Sequence, residues 1–302
     1  MKAAAFSEFG GPEVLRAMEI ETPEAAEGQV RVRVRTAGVQ PFDVAVRQGW
    51  MPAGVSGDLP RIPGNEFAGV VDQVGEGVRG VSVGDEVLGF NLLNSYAEYI
   101  VVPAENVTAK PANMPWEVAG GFTAGTQTAH IALRQLGVGE GDTVLVHAAA
   151  GSVGTAAVQL ARLWGATVIG TAREENHDYL RSLGAIPVAY GEGLLERVRA
   201  LAPGGVDMVL DGAGGEALDV SLRLVKGDRI VTLVEHDKAE ELGVQVTRGV
   251  RLASRLAELT ELYSDGALTF HVRRTYPLDQ AADAHREVEA GHGRGKVVLT
   301  VG

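Results

Sequence analysis

The chain has 302 residues, 45% of them hydrophobic and 22% charged, with 27 Lys and Arg against 39 Asp and Glu and a formal net charge of −12. That length accommodates two domains with real cores, and an acidic balance of interspersed charges argues against a nucleic-acid or anionic-membrane surface. Cysteine is absent, which removes disulfides, thiolate catalysis and thiolate metal sites. No apolar run reaches the roughly 18 residues of a spanning helix. Ser7 and Glu8 follow the Met1–Phe6 start too soon for a signal-peptide core, so a cytoplasmic address is expected.

The first hundred or so residues are rich in Gly, Pro and short alternating strands, expected over Gln29 to Thr36, Glu66 to Val74, Glu86 to Leu88 and Tyr96 to Val102. Strands at such spacing suggest a compact, barrel-like β domain. The alternation Arg31-Val32-Arg33-Val34-Arg35 has period two and reads as a strand with one wet face. From about Trp116 helical stretches alternate with short apolar strands at Thr143–His147, Thr167–Thr171, Pro187–Ala189, Asp207–Leu210, Asp228–Leu233 and Val244–Thr247. Such alternation predicts a parallel sheet covered on both faces. The tail carries a helix from Val250 to Tyr263, a strand near Thr269–Arg274, a helix near Leu278–Ala290 and a strand near Lys296–Val301. It is expected to return to the first domain, with the active cleft between the domains.

Within the middle region one stretch carries chemistry. The apolar strand Thr143–His147 meets the small-residue turn Ala148-Ala149-Ala150-Gly151-Ser152-Val153-Gly154, then a helical pattern from Thr155 to Trp164, then a second strand. Strand, glycine turn, helix and strand make one βαβ unit of a dinucleotide-binding domain. Gly151 lets the backbone approach a pyrophosphate, Gly154 lets the helix approach the strand, and the helix N-terminus offers donors to the phosphates. The first position of the usual Gly-x-Gly-x-x-Gly is Ala149. The second strand ends Gly170-Thr171-Ala172-Arg173, with no carboxylate at its tip to bind a ribose 2′-OH. Arg173 is suited to a 2′-phosphate, which points to NADPH, while Glu174 and Glu175 bring opposing charge.

Several segments resemble the zinc-free quinone oxidoreductase (zeta-crystallin-like) branch of the medium-chain dehydrogenase/reductase superfamily. They are Ile62-Pro63-Gly64-Asn65-Glu66-Phe67-Ala68-Gly69-Val70-Val71, Gly84-Asp85-Glu86-Val87, Tyr96-Ala97-Glu98-Tyr99, the turn Ala148–Gly154 and Gly295-Lys296-Val297-Val298-Leu299. The matches run from one end of the chain to the other. The resemblance implies an α/β fold: a GroES-like β-barrel-like catalytic domain over 1–115, a doubly wound Rossmann-type NADPH-binding domain over 116–266, and a return segment over 267–302 completing the first.

The resemblance also implies site residues. Zinc-dependent relatives place a Cys near Gln40 and a His where Asn65 stands, so no catalytic metal is expected here. The histidines, seven in all, show no paired ligand spacing; His147 and His285 read as structural. Cofactor contacts are implied at Thr128, Ala150, Gly151, Ser152, Val153, Gly154, Thr171, Ala172, Arg173, Tyr190, Gly212, Ala213, Leu233, Val234 and Lys296. Asp211 reads as structural. The substrate wall is implied over Gln40-Pro41-Phe42-Asp43 and Arg47-Gln48-Gly49-Trp50-Met51-Pro52, with Gln40, Phe42, Trp50, Met51 and Asn65 as the catalytic candidates. Bacterial quinone reductases carry tyrosines at the Ala45 and Met51 positions, and Met51 has no proton to give.

The leading expectation is an NADPH-dependent, metal-free quinone oxidoreductase with a small-molecule acceptor. An NADPH-dependent enone or enoyl reductase and a non-catalytic NADPH-binding redox sensor remain as alternatives. A homodimer is expected through the sheet edge near Val244-Gln245-Val246.

Overall fold

The computed structural model describes residues 1–52, 54–55, 58–291 and 293–302. The chain forms two compact units, Met1–Ala124 with Arg251–Gly302, and Gly125–Val250. No described helix is long and apolar enough to cross a membrane.

The first unit opens with β1 (Lys2–Ala5) and β2 (Arg16–Glu19), paired antiparallel. Then come β3 (Gln29–Val39), α1 (Pro41–Arg47), β4 (Glu66–Val74), β5 (Glu86–Phe90), β6 (Tyr99–Pro103) and β7 (Val107–Ala109). In β3 the valines at 30, 32 and 34 are buried while Arg31 pairs with Asp72 and Glu24, the wet face its alternation predicts. β3 runs three residues beyond the expected Thr36, because Ala37, Gly38 and Val39 are buried against other strands and a buried ion pair.

Helix α2 (Trp116–Leu136) carries the chain into the second unit. There the elements are β8 (Thr143–Val146), α3 (Ser152–Leu163), β9 (Thr167–Ala172), α4 (His177–Ser182), β10 (Ile186–Ala189), α5 (Leu194–Leu201), β11 (Met208–Asp211), α6 (Glu216–Leu222), β12 (Ile230–Thr232), α7 (Ala239–Leu242) and β13 (Gln245–Val246). The strands form one parallel six-stranded sheet in the order β10-β9-β8-β11-β12-β13. That is the doubly wound order, reversing between β8 and β11. Its core is aliphatic, built on Leu145, Ile169, Val209 and Ile230.

The tail, α8 (Ala253–Ser264), β14 (Val272–Pro277), α9 (Ala281–Glu289) and β15 (Lys296–Thr300), packs into the first unit. There the seven-stranded sheet runs β14-β15-β3-β4-β5-β7, with β6 also on β3. The strand expected near Thr269–Arg274 lies three residues later. Its position is set by the parallel ladder on β15, which aligns Val272 with Lys296 and buries Tyr276 opposite Leu299.

Candidate functional site

In the second unit, α3 starts at the end of β8. Gly151 caps it in extended conformation without a side-chain cap, so the first-turn N–H groups face outward from the turn. Gly151 N donates to Ala148 O at 3.0 Å, and this turn holds Ala148 at φ +54°, a left-handed conformation that costs an alanine about 1–2 kcal/mol. A Cβ on Gly154 would lie 2.6 Å from Ala149 Cα, so α3 rests directly on the turn.

Ala149 replaces the first glycine of the motif, and the neighbouring strand compensates. A Cβ on Gly170 would meet the Ala149 methyl at 2.8 Å and Leu180 at 3.1 Å. The glycine has in effect moved from the turn to β9. Gly170→Ala is expected to destabilise the protein by about 1–3 kcal/mol through overpacking. Adding Ala149→Gly should recover most of that loss in urea denaturation; no recovery would assign the strain to Leu180 instead.

Ser152 Oγ is buried with no partner among the described residues, and Gly125 stands over it with no side chain to cover it. A buried hydroxyl without a partner beside free helix-terminal N–H groups fits a dinucleotide pyrophosphate. Ala150, Gly151, Ser152, Val153 and Gly154 therefore lie together at this turn. At the tips of β9 and β10, Arg173 Nε donates to Tyr190 Oη at 3.0 Å; both side chains are about half exposed, and Glu175 stands 4.0 Å from the guanidinium. Thr171 and Ala172 are buried just before that tip.

The loops after β11 and β12 complete this carboxyl edge of the sheet. Asp211 Oδ1 accepts from Ala213 N (3.0 Å) and Gly214 N (2.9 Å), and Oδ2 accepts from Thr232 Oγ1 (2.8 Å). Its carboxylate is committed to shaping the 212–215 loop beside Leu233 and exposed Val234. His147 bridges Thr171 Oγ1 and Ser221 Oγ, and burial holds its pKa below the ordinary value, so it is a neutral structural histidine. Thr128 is half-buried on α2.

Lys296 is placed in the first unit, at the start of β15. Its Nζ pairs with Glu66 Oε1 at 2.5 Å and donates to Gln40 Oε1 at 3.2 Å. Glu66, fully buried, also accepts from Ala124 N at 2.6 Å. Gln40 Nε2 donates to Asn65 Oδ1, which also accepts from Arg251 Nη1 at 3.2 Å; the same Nη1 donates to Asn65 O at 3.0 Å. Asp43, fully buried on α1, accepts at Oδ2 from Gln40 N and from Tyr96 Oη, both at 3.0 Å. Burial pushes the Asp43 carboxyl up to about 7 against the pull of Lys296.

Gln40 and Asn65 are thus brought together, whereas Phe42 lies on α1 and Trp50 and Met51 follow that helix, with no described bond to either amide. Phe42 and Trp50 meet edge to face at 5.4 Å with Trp50 51% exposed, so Trp50 is not a core residue. Met51 Sδ accepts from Arg61 Nη1 at 2.7 Å.

His285 lies buried beside Tyr96 and against Arg47, whose guanidinium pairs with Glu289 at 2.5 Å. Burial and the adjacent cation lower the His285 pKa to about 3, as a core histidine requires.

Glu66, Tyr96 and Arg251 are not among the site residues expected from the sequence, and Asp43 is expected only as part of the substrate wall. Glu66 and Lys296 carried a signal: opposite charges each open a strand directly before an apolar run, a pattern for a buried ion pair. Arg251 carried none.

Residues 26–112 match the alcohol dehydrogenase GroES-like domain family, and residues 183–299 match the zinc-binding dehydrogenase family. The chloroplastic NADPH-dependent alkenal/one oxidoreductase of Arabidopsis thaliana is 32% identical over 315 residues, covering 99% of this chain and 79% of that protein. The chain belongs to the medium-chain dehydrogenase/reductase superfamily. The polyketide synthase GfsB of Streptomyces halstedii is 37% identical over 300 residues, 93% of this chain, but the chain spans only 5% of that protein's length. Among solved superfamily structures, the quinone oxidoreductase from Coxiella burnetii superposes with a TM-score of 0.88 at 31% identity, covering 100% of this chain and 99% of that one. A mycobacterial protein complexed with NADPH gives 0.86 at 33% identity, covering 99% and 100%.

The zinc-binding family description raises a metal, and the residues do not fit one. Where zinc-dependent superfamily members place ligands, this chain has two carboxamides bonded to each other, flanked by the Lys296 ammonium and the Arg251 guanidinium. Zinc takes thiolate, imidazole or free carboxylate, and the two carboxylates of this cluster are engaged, Glu66 by Lys296 and Asp43 by Tyr96 and Gln40 N. Among the described residues no group of three His, Cys, Asp or Glu is placed to hold a metal ion.

Proposed function

We propose that this chain is an NADPH-dependent, zinc-independent quinone oxidoreductase. The observation that carries the reading is the Gln40–Asn65 amide pair, anchored by two cations at the position of the superfamily's metal. With no Lewis acid to stabilise an alkoxide, alcohol oxidation is disfavoured. Reduction of an electron-poor conjugated carbonyl is favoured. The likeness to the Coxiella quinone oxidoreductase supports the same acceptor class.

Bound NADPH supplies the hydride. Residues of this chain supply the rest. The α3 turn with Ser152 takes the pyrophosphate, and Arg173 with Tyr190 takes the 2′-phosphate; the likeness to an NADPH complex supports this preference. Thr128, Gly212, Ala213, Leu233 and Val234 position the remainder, and the Phe42–Trp50 pair offers a stacking wall for a flat acceptor. Lys296 is proposed as an orienting residue of the acceptor site. The acceptor's proton comes from water, because Met51 has none to give. A dimer through β13, the sheet's edge strand, belongs to the same proposal.

A second reading is reduction of enones, favoured by the likeness to the Arabidopsis alkenal/one oxidoreductase. Steady-state assays with NADPH and NADH against benzoquinones and enones separate the two. Higher kcat/KM for quinones is expected; preference for enones would move the assignment, and no turnover with tight NADPH binding would favour a sensor. Arg173→Ala should raise the KM for NADPH about tenfold while barely changing that for NADH, the scale of one partly exposed charged hydrogen bond. Equal effects on both cofactors would defeat the 2′-phosphate role.

A further inference from the structure

The amide of Asn65 has a fixed orientation. Its Oδ1 accepts from both Gln40 Nε2 and Arg251 Nη1, so a flip would press an –NH2 group against two donors. The Gln40 amide is fixed in turn, because Lys296 Nζ donates to its Oε1 and Lys296 is held by Glu66. Orientation therefore passes from a buried carboxylate through an ammonium and a glutamine to Asn65. The outcome is that Asn65 Nδ2, on a residue only 4% exposed, has no acceptor among the described residues.

Arg251 is in the same condition. Both of its hydrogen bonds leave from Nη1 and both end on Asn65. Its Nε and Nη2 meet no acceptor, and it has no ion-pair partner among the described residues. The nearby carboxylates do not answer its charge by contact: Glu66 is matched to Lys296, and Asp43 is bonded to Tyr96 and Gln40 N. A guanidinium cannot give up its proton to escape burial. The site thus holds a guanidinium without an ion-pair partner and N–H groups of Asn65 and Arg251 without acceptors among the described residues.

We infer that Asn65 Nδ2 and the Arg251 guanidinium together bind the carbonyl oxygen of the acceptor and stabilise the oxyanion it becomes, with Gln40 and Lys296 as positioning residues. The inference rests on the proposed reading that the acceptor is a conjugated carbonyl compound. Overall, a quinone gains a hydride from NADPH and a proton from water, giving hydroquinone and NADP+. Between those events the negative charge sits on a carbonyl oxygen. An enone places its charge on the same atom when hydride adds at the conjugated carbon. Donors aimed at that oxygen act without reorganisation, and removal of one such donor typically lowers kcat by about 10²–10³. The two donor groups would do what the superfamily's zinc does for a substrate oxygen, without a metal.

The test uses the intact chain and a chromogenic phenol, 4-nitrophenol, which absorbs differently in its ionised form. Titrated against excess protein without cofactor, the wild type should bind the phenolate in preference to the phenol, lowering the probe's apparent pKa by about one unit, a tenfold preference. Asn65→Ala and Arg251→Gln should each weaken phenolate binding about tenfold or more, with Arg251→Lys intermediate because it keeps the charge and loses the fork. Both variants should lower kcat with quinones about 10²–10³-fold while NADPH affinity, read by its fluorescence, is unchanged. Circular dichroism melts check folding, and the Arg251→Lys and Asn65→Ala pair serves if Arg251→Gln does not fold. Wild-type phenolate affinity in the variants, or preference for the neutral phenol, would overturn the inference. If no acceptor is turned over but the probe behaves as described, the oxyanion pair stands and the quinone reading falls. If quinones are reduced and the variants match wild type, the reverse holds.

Discussion

Replacing Lys296 by methionine is expected to cost about 3–5 kcal/mol of stability, the loss that follows when one partner of a buried ion pair is removed. Glu66 is fully buried: Lys296 Nζ makes an ion pair with its Oε1 at 2.5 Å, and Ala124 N donates to its Oε2 at 2.6 Å. Methionine fills the space of the lysine stem but leaves Oε1 with a buried charge and no cation. The surroundings cannot adapt, because the pair already occupies the space beside two glycines. A Cβ on Gly38 would fall against the Glu66 carboxylate and lie 2.8 Å from Lys296 Cε, and one on Gly121 would lie 2.7 Å from Lys296 Cγ. Lys296→Met with Glu66→Gln should recover most of the loss, since a neutral amide keeps the bond from Ala124 N and removes the stranded charge. Urea denaturation of wild type, both single variants and the double variant measures this coupling. An additive double variant would mean that the pair contributes only as packing. Activity supplies a second readout: without the ammonium, Gln40 loses the contact that orients it, so the double variant should refold well and still turn over acceptor slowly.

The dinucleotide turn and the polar cluster differed in how far the sequence exposed them, and the reason is sequence separation. The dinucleotide turn is local. Glycines at 151 and 154, a β-branched strand before and a helix after lie within about one βαβ unit, and the hydrophobic period changes within sight of the motif. Even the departure at Ala149 has its compensation at Gly170, on the next strand of the same unit. The polar cluster is different. It joins positions 40, 43, 65, 66, 96, 251 and 296, gathered from α1, two sheet strands, two connecting segments and the tail. No local period marks such residues. Gln40 and Asn65 were legible only through resemblance to zinc ligand positions. Asp43 was legible only as part of the substrate-wall segment Gln40-Pro41-Phe42-Asp43 that the resemblance implies. It bonds Gln40 N, but its burial beneath Tyr96 was invisible. Arg251 stood among Arg248, Arg255 and other surface-like charges, and only the fold turns it towards Asn65. The late placement of β14 has the same origin: Thr269–Arg274 and Val272–Pro277 are equally acceptable strands by composition, and the ladder on β15 decides.

Asp43→Asn is expected to leave stability near wild type at acid pH and to raise it progressively as the solution becomes neutral and then alkaline. Burial is the dominant cause of the raised Asp43 pKa, with Glu66 adding to it; Lys296, Tyr96 Oη and Gln40 N oppose it, and the balance lies near 7 against an ordinary 3.8. Between those values the folded chain keeps a proton that the unfolded chain has released. Fewer protons are then bound in the unfolded state, so stability falls as pH rises through this window. The full displacement corresponds to about 4 kcal/mol, present below pH ~4 and gone above pH ~7. Asparagine imitates the protonated acid at every pH. Its oxygen takes the place of Oδ2, keeping the bonds from Tyr96 and Gln40 N, and its –NH2 takes the place of Oδ1, which has no partner to lose. The wild-type curve alone would not show the effect, because His285 titrates with the opposite sign: its pKa is lowered to about 3, so it adds stability as pH rises from ~3 to ~6.5. The difference between the two proteins cancels His285 and isolates Asp43. Urea denaturation at intervals from about pH 4.5 to 8.5 should give a gap that opens in favour of Asp43→Asn by up to about 4 kcal/mol. A gap that does not vary with pH would mean that Asp43 is ionised in the folded protein throughout, held by Lys296 more strongly than burial opposes it.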